Sequence, residues 1–361
     1  MPSFPFDRDP LAWLDETAAR AGQVRWIGPG RLCVYDADIA RTLLVDEAGR
    51  VADHSDFFGN SPTVLAPRDR QIALARDALA LVQAHLRTVD CAAEAASLDA
   101  QSEWPAAGSA LLLRIMRPVL AAPGRSPQFQ AALDHVVATR ILSRHQAPKG
   151  LVRRAWDRFR FFRAFSREPA AGRLEGDLLD ALLRHAGDLE EEALVQLYAG
   201  FVFATVGSVG FALGWSLLLA AERDRIGYPR PSHLVHEALR LFPVAWLFER
   251  STTGHDEIGG ETVTPADVLT ISPYAIHRHP AYWEEPLAYR PERWQGRTGR
   301  IPWFPFGAGA HSCVAAGLTL EFVGSLLAAV ADRQPSVERL GGGPSLGAAL
   351  APPRFLLRLA R

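Results

Sequence analysis

Residues 303–321 read Trp-Phe-Pro-Phe-Gly-Ala-Gly-Ala-His-Ser-Cys-Val-Ala-Ala-Gly-Leu-Thr-Leu-Glu, and no other stretch constrains this chain so tightly. Glycine and proline punctuate a rigid loop that runs from Phe306 to Cys313. The apolar run after it predicts a helix from roughly Val314 to Ala331. One cysteine therefore sits where a loop meets a helix N-terminus. Unpaired backbone N–H groups and the positive end of the helix dipole favour a thiolate there, and such a thiolate is a soft ligand suited to iron. Gly307 and Gly309 allow a tight turn with no side chain against a flat ligand. Phe306 is placed to pack on that ligand's face, and His311 to donate a hydrogen bond to an acidic group on its edge. The plain alternative is a structural cysteine after a turn, so the rest of the chain must supply the supporting parts.

The chain has 361 residues, 48% of them hydrophobic, enough to bury a large core. A net charge of −1 with mixed signs along the sequence implies no polyanion-binding surface. The cysteines, Cys33, Cys91 and Cys313, are too sparse for a disulfide framework and suit a reducing cytosol. The N-terminus carries no basic segment followed by an apolar run. These features read as a soluble cytoplasmic monomer with no nucleic-acid or membrane partner. The most apolar stretch, Leu197 to Ala221, reads as a buried core helix, because polar helix signals flank it.

Residues 9 to 21 form an amphipathic helix with Leu11, Trp13 and Leu14 on one side. Two short strands follow around Gly28-Pro-Gly30, and Asp36 caps a helix to about Val45. His54 to Pro67 reads as a loop, and Arg68 to Arg87 as a helix. Residues 91 to 145 predict two or three helices. The run Arg153-Arg-Ala-Trp-Asp-Arg-Phe-Arg-Phe-Phe-Arg-Ala-Phe165 reads as an amphipathic helix, not a nucleic-acid patch, given the near-neutral charge. Leu189 to Arg223 reads as one long helix opened by Glu190-Glu-Glu, which complements its dipole. Glycines and β-branched residues weaken its centre, so it is packed tightly or kinked. Glu237 and Arg240 lie three residues apart on a helix face. Phe248 to Ile271 reads as strand, turn, strand. His277 and His279 read as surface or capping residues and not as metal ligands, since no acidic or cysteine partner lies beside them.

The order Phe-Gly-x-Gly-x-His-x-Cys resembles the haem-thiolate loop of the cytochrome P-450 superfamily. Glu237-x-x-Arg240 and Arg290-Pro-Glu-Arg-Trp294 resemble its buried Glu/Arg/Arg cluster. The resemblance is strong from Glu237 to Glu321, fair over Leu189 to Arg223 and weak before residue 190. It implies a mainly α cytochrome P-450 fold in a single domain over 1–361, with β-rich parts near 22–36 and 244–275 and a cysteine loop over 303–313. Haem b would be buried between the long central helix and that loop. Cys313 would be the axial ligand. His311, Arg250 and Arg76 would partner the propionates, beside Phe306, Gly307, Gly309 and Ala204. Glu237, Arg240 and Arg293 would lock the cysteine loop beneath the haem.

Three departures stand out. Ala315 replaces a common glycine two residues after the cysteine. The helix connections between Arg223 and Ser232 and in the lid segment are short. The long helix also lacks the family's acid–alcohol pair. One register places Val202 and Phe203 at those positions. The other, which agrees over more of the helix, places Gly207 and Ser208 there after Ala204-Thr205.

The resemblance thus implies a haem-thiolate oxidoreductase or monooxygenase. It would act on a small or medium organic substrate with electrons from a ferredoxin and ferredoxin reductase, in bacterial specialised metabolism. Ser208 and Thr205 would line the oxygen side, with Gly207 where the acid is missing. Peroxide-driven chemistry, dehydration or rearrangement at iron is the alternative reading, and a non-catalytic binding module with the same fold is a third.

Overall fold

The computed structural model describes residues 4–20, 22–52, 68–137, 141–142, 161–165, 167–168 and 176–360. The predicted loop over His54 to Pro67 and most of the run from Arg153 to Phe165 lie outside these residues.

Several helices start where a side-chain oxygen accepts from otherwise orphaned N–H groups. Two short helices open the chain, α1 (Pro5–Arg8) and α2 (Pro10–Ala18), and Asp9 caps the second. Strands β1 (Val24–Gly28) and β2 (Arg31–Val34) form the expected hairpin. Asp36 caps α3 (Ala37–Val45) by accepting from the N–H groups of Asp38 and Ile39. There follow α4 (Arg68–Leu86), α5 (Cys91–Ala96), β3 (Gln101–Trp104), α6 (Ala106–Leu120), α7 (Pro127–Val136) and α8 (Leu178–Ala186).

Helix α9 runs from Glu191 to Glu222. Every residue from Val209 to Ala220 is buried, so this helix is apolar all round because it is the centre of the core. It packs on α6, on α10 (Pro231–Leu241) and on α12 (Ala316–Ala331). Trp215 stacks on Phe242 at 3.9 Å, and its indole N–H donates to the Leu350 carbonyl at 3.0 Å. Among the described residues it is the one helix long and apolar enough to cross a membrane, and 78% of its apolar window is buried inside the protein. The weakened centre shows as a π turn over Phe203–Ser208, the opened geometry expected where the ladder is strained.

The C-terminal half adds β4 (Phe248–Arg250), β5 (Asp256–Ile258), β6 (Glu261–Val263), β7 (Val268–Ile271) and α11 (Pro273–Ile276). The chain ends with β8 (Ser336–Arg339) and β9 (Phe355–Arg358). One sheet has the order β1-β2-β7-β4, with β2 parallel to β7. It thus joins the N-terminal hairpin to the strand-rich segment near 244–275, as expected. A second sheet, β3-β9-β8, lies outside the expected β-rich bounds, so residues 91–145 are not all helical. No helix forms between Arg223 and Arg230, as the short connection implied.

A buried ionic knot ties α8 to the turn before α7. Arg125 donates to Asp177 at 2.7 and 2.8 Å and to Asp180 at 2.7 Å, and its side chain is 1% exposed. Burial opposes the charge on Arg125, but hydrogen bonds to both carboxylates outweigh it and hold the guanidinium above its ordinary range. Removing one member of such a set leaves buried charge uncompensated, which costs about 3–5 kcal/mol. Arg125→Ala should lose stability of that size by denaturant titration. A loss under about 1 kcal/mol would show that the knot does not clamp this region.

Candidate functional site

The loop after α11 is built around one carboxylate. Glu237, on α10 and fully buried, accepts five hydrogen bonds. They come from Arg240 Nε and Nη2 (3.0 and 2.8 Å), Arg293 Nε (2.9 Å), Trp294 Nε1 (3.0 Å) and the Arg290 backbone N–H (2.9 Å). Arg240 also donates to the carbonyls of His277, Pro286 and Ala288 at 2.6–2.9 Å. Arg293 donates to those of Glu284 and Glu285. Burial pulls Arg240 below the ordinary arginine range, and the bonds to Glu237 act against that pull. The expected Glu237, Arg240 and Arg293 cluster is therefore assembled, but its hydrogen bonds go to residues 277 and 284–294, not directly to the cysteine loop.

Two links carry it there. The first is His277, which the sequence reading gives a surface or capping role and which is in fact 0% exposed. Its Nε2 accepts from the Phe304 N–H at 2.7 Å, and its Nδ1 lies 3.2 Å from the Arg240 carbonyl. The second is a series of rings: Trp294 meets Trp303 at 5.4 Å, and Trp303 meets Phe306 at 5.9 Å. His279 does serve as a cap, accepting from the Ala281 N–H.

The loop then closes on itself. Gly307 N–H donates to the Phe304 carbonyl (3.1 Å), Ser312 N–H to that of Gly309 (3.1 Å) and Cys313 N–H to that of Phe306 (2.9 Å). Gly307 and Gly309 sit at φ +73° and +71°, the left-handed region where a side chain is strained. Gly309 has a further reason to be glycine, and it is not the flat ligand. A Cβ there would lie 2.6 Å from Val45 Cα and 2.9 Å from the Leu44 carbonyl oxygen, so the loop rests directly on the end of α3. Helix α12 starts at Ala316, two residues later than predicted.

Cys313 is exposed on this loop. Crowding by neighbouring atoms raises its thiol above the ordinary value, and the Ala315 N–H acts in the opposite direction. Burial thus works against the thiolate that the helix N-terminus favours. A bound metal cation would supply a field in the other direction, since a coordinating thiol loses its proton outright.

Arg250 and His311 line one pocket, with Leu43, Leu44, Asp46, Val51 and Ala52. A cation from β4 and an imidazole from the loop thus line the same pocket. Arg76 does not join them: it lies exposed on α4. The arginine of α4 that reaches the loop is Arg68, whose Nη2 donates to the Ala310 carbonyl at 2.7 Å.

On α9, Ala204 is exposed and Ser208, one turn on, is half-buried, in a stretch whose other residues are mostly buried. These two positions share one open side of the π turn. Thr205 does not face it, since it is buried and its hydroxyl donates to the Phe201 carbonyl at 2.7 Å. A Cβ at Gly207 would lie 3.0 Å from the Phe203 ring and 3.2 Å from Ile141. Phe203, the alcohol position of the other register, is half-buried like Ser208, but only Ser208 carries a hydroxyl.

A haem fits this donor set. It needs one sulfur ligand on an accessible loop, cationic and imidazole groups for two carboxylate arms, and an opposing helix with a small residue. Cys313, Arg250 with His311, and Ala204 have these chemistries. Among the described residues, no group of three His, Cys, Asp or Glu side chains could hold a metal ion by itself.

Comparison with known proteins agrees. The family model described as Cytochrome P450 matches residues 232–320. Cyclooctatin synthase of Streptomyces melanosporofaciens is 38% identical over 117 residues, which are 31% of this chain and 25% of that protein. The chain thus matches about a quarter of this curated relative's length. Two solved structures match almost throughout. A mutant of P450 EryK in complex with erythromycin B has a TM-score of 0.73 at 18% identity, covering 100% of this chain and 98% of that one. HmtN, a post-tailoring hydroxylase involved in himastatin biosynthesis, has a TM-score of 0.73 at 15% identity, covering 99% and 100%. At these identities the structures show the fold.

His277 also gives the site a pH dependence. Burial, with Arg240 adding to it, holds this imidazole well below its ordinary value. Its neutral form therefore contributes stability above about pH 6.5, the unfolded-state value. That contribution is lost as pH falls from there toward the folded-state value. His277→Gln keeps an acceptor for Phe304 but does not titrate. Between about pH 7.5 and 5 its denaturant midpoint should fall less than that of the parent, whereas equal slopes would remove His277 from the account.

Proposed function

This chain belongs to the cytochrome P450 superfamily, and from that premise we propose that it is a haem-thiolate monooxygenase. Its substrate is a small or medium organic molecule of bacterial specialised metabolism. Electrons come from a ferredoxin-type donor. The observation that carries the reading is Cys313, presented on a loop held by the buried Glu237 cluster, together with the open Ala204–Ser208 side of α9. Bound haem supplies the redox chemistry, with Cys313 as its thiolate ligand. The relatives from Streptomyces and from himastatin biosynthesis support the metabolic setting.

The chain's own residues then divide the work. Arg250 and His311 hold the carboxylate edge through charge-assisted hydrogen bonds. Ala204 leaves room on the substrate side. Ser208 is the hydroxyl on that side, and it holds and passes protons with water, because Gly207 supplies no carboxylate. Thr205 is left out of the relay, its proton being committed to Phe201.

The ligand assignment is tested by the carbon monoxide difference spectrum of the reduced protein. The parent should show the thiolate-type band and Cys313→Ala should lose it. A parent without the band overturns the proposal. The relay is tested by Ser208→Ala, which should lower product formed per dioxygen consumed by about tenfold or more, with the thiolate band unchanged. Unchanged coupling would move proton delivery to water or to the substrate.

The packing at Gly207 favours one second reading, in which peroxide replaces dioxygen and the reductase. Product formed with peroxide at rates above those of the ferredoxin-driven reaction would select it.

A further inference from the structure

We propose that His277 is the positioning residue that connects the buried Glu237–Arg240 pair to the cysteine loop and sets the height of Cys313. The geometry allows one arrangement of its protons. Nε2 lies 2.7 Å from a backbone N–H, that of Phe304, and must accept. Nδ1 lies 3.2 Å from a backbone carbonyl, that of Arg240, and must donate. The ring is therefore the neutral Nδ1–H tautomer, and a proton on Nε2 would set two donors against each other.

The residue is held from both ends. Its own carbonyl accepts from Arg240 Nη1 at 2.7 Å, so Arg240 and His277 bind each other reciprocally. Its ring lies parallel to that of Phe304, 17° between planes, and meets Trp283 edge-on. Both Phe304 and Trp283 are 1% exposed, so the imidazole has no room to tilt away.

The step from His277 to the ligand is short. The Phe304 N–H is fixed by His277, and the Phe304 carbonyl accepts from Gly307 N–H, which opens the turn. The loop then closes where Cys313 N–H meets the Phe306 carbonyl. None of the hydrogen bonds of Glu237, Arg240 or Arg293 described above ends on residues 303–313, so His277 is the hydrogen-bonded connection between the two. Losing it would leave the cluster intact and the loop anchored on one side by rings alone.

The proposal deepens the haem-thiolate reading, but its primary tests need no haem. In the parent protein with 15N-labelled histidine, NMR should show one imidazole in the Nδ1–H tautomer, bonded through Nε2 and neutral at pH 7. An Nε2–H tautomer or a protonated ring at His277 overturns it. By hydrogen exchange, His277→Phe should lose protection of the Phe304 and Gly307 amides by tenfold or more, with residues 237–241 unchanged, and His277→Gln should restore it. Parent-like protection in His277→Phe, or equal loss in both variants, overturns the proposal. On haem titration, His277→Phe should bind at least tenfold more weakly with a reduced fraction of thiolate-type carbon monoxide band, and His277→Gln should recover both. A parent that binds no haem would sink the functional reading while the exchange and tautomer results still judged His277.

Discussion

The buried carboxylate of Glu237 is the interaction on which the site depends. An isolated carboxylate with no solvent exposure is strongly disfavoured, and two arginines, an indole and a backbone N–H together make it tolerable. Its purpose is visible in what the arginines do with their remaining donors. Residues 277–305 contain little regular structure, so their carbonyls have few ladder partners. Arg240 and Arg293 supply those partners at His277, Glu284, Glu285, Pro286 and Ala288. A guanidinium has five N–H donors in a fixed plane and suits this work, where a lysine with three mobile donors would not. The cluster is thus a substitute for secondary structure in a segment that has little.

The long helix solves the opposite problem. It has all its backbone bonds but must let other elements approach closely. Gly214 lets Pro352 come within 3.0 Å of where its Cβ would be, and Gly210 admits the backbone of Ser109 on α6. These glycines lower helix propensity, and burial on every side compensates for it. The π turn over Phe203–Ser208 is where the weakened ladder opens, and Ala204 and Ser208 are among its positions that remain accessible.

Much of this was readable in the residues, and the reason differs from part to part. Spacing carried the Glu237–Arg240 pair, because three residues on a helix is a geometric statement. Asp36 was readable as a cap because capping is local. His277 was not readable, since a histidine's burial depends on Trp283 and Phe304 folding over it, and nothing within a few residues announces that. Arg68 and Arg76 lie on one helix with the same side chain, and only the position of the loop decides which reaches it. The sheet β3-β9-β8 pairs Gln101–Trp104 with Phe355–Arg358. Strands of four residues separated by so much chain leave too short a pattern to register. Gly309 was recognised as special for a partly different reason, because its contact with Val45 is made in three dimensions and not in the sequence.

The two sides of the site now differ in kind. On the cysteine side, bonds are many and mutually supporting, so the loop has one arrangement. On the helix side, Gly207 stands where the proposed register puts the family's acid, and its missing side chain is not a simple deletion. The space a Cβ would take is already bounded by the ring of Phe203, one turn back on the same helix, and by Ile141. A carboxylate restored at that position would have to displace an aromatic ring, and it would desolvate as it did so. The absence of the acid is therefore built into the packing of the π turn. Under the proposed function, that packing would leave the Ser208 hydroxyl, water, and any polar group of the substrate as the sources of protons on that side. The specificity of the proposed reaction would then depend on the substrate's own polar groups more than it would with a carboxylate in place.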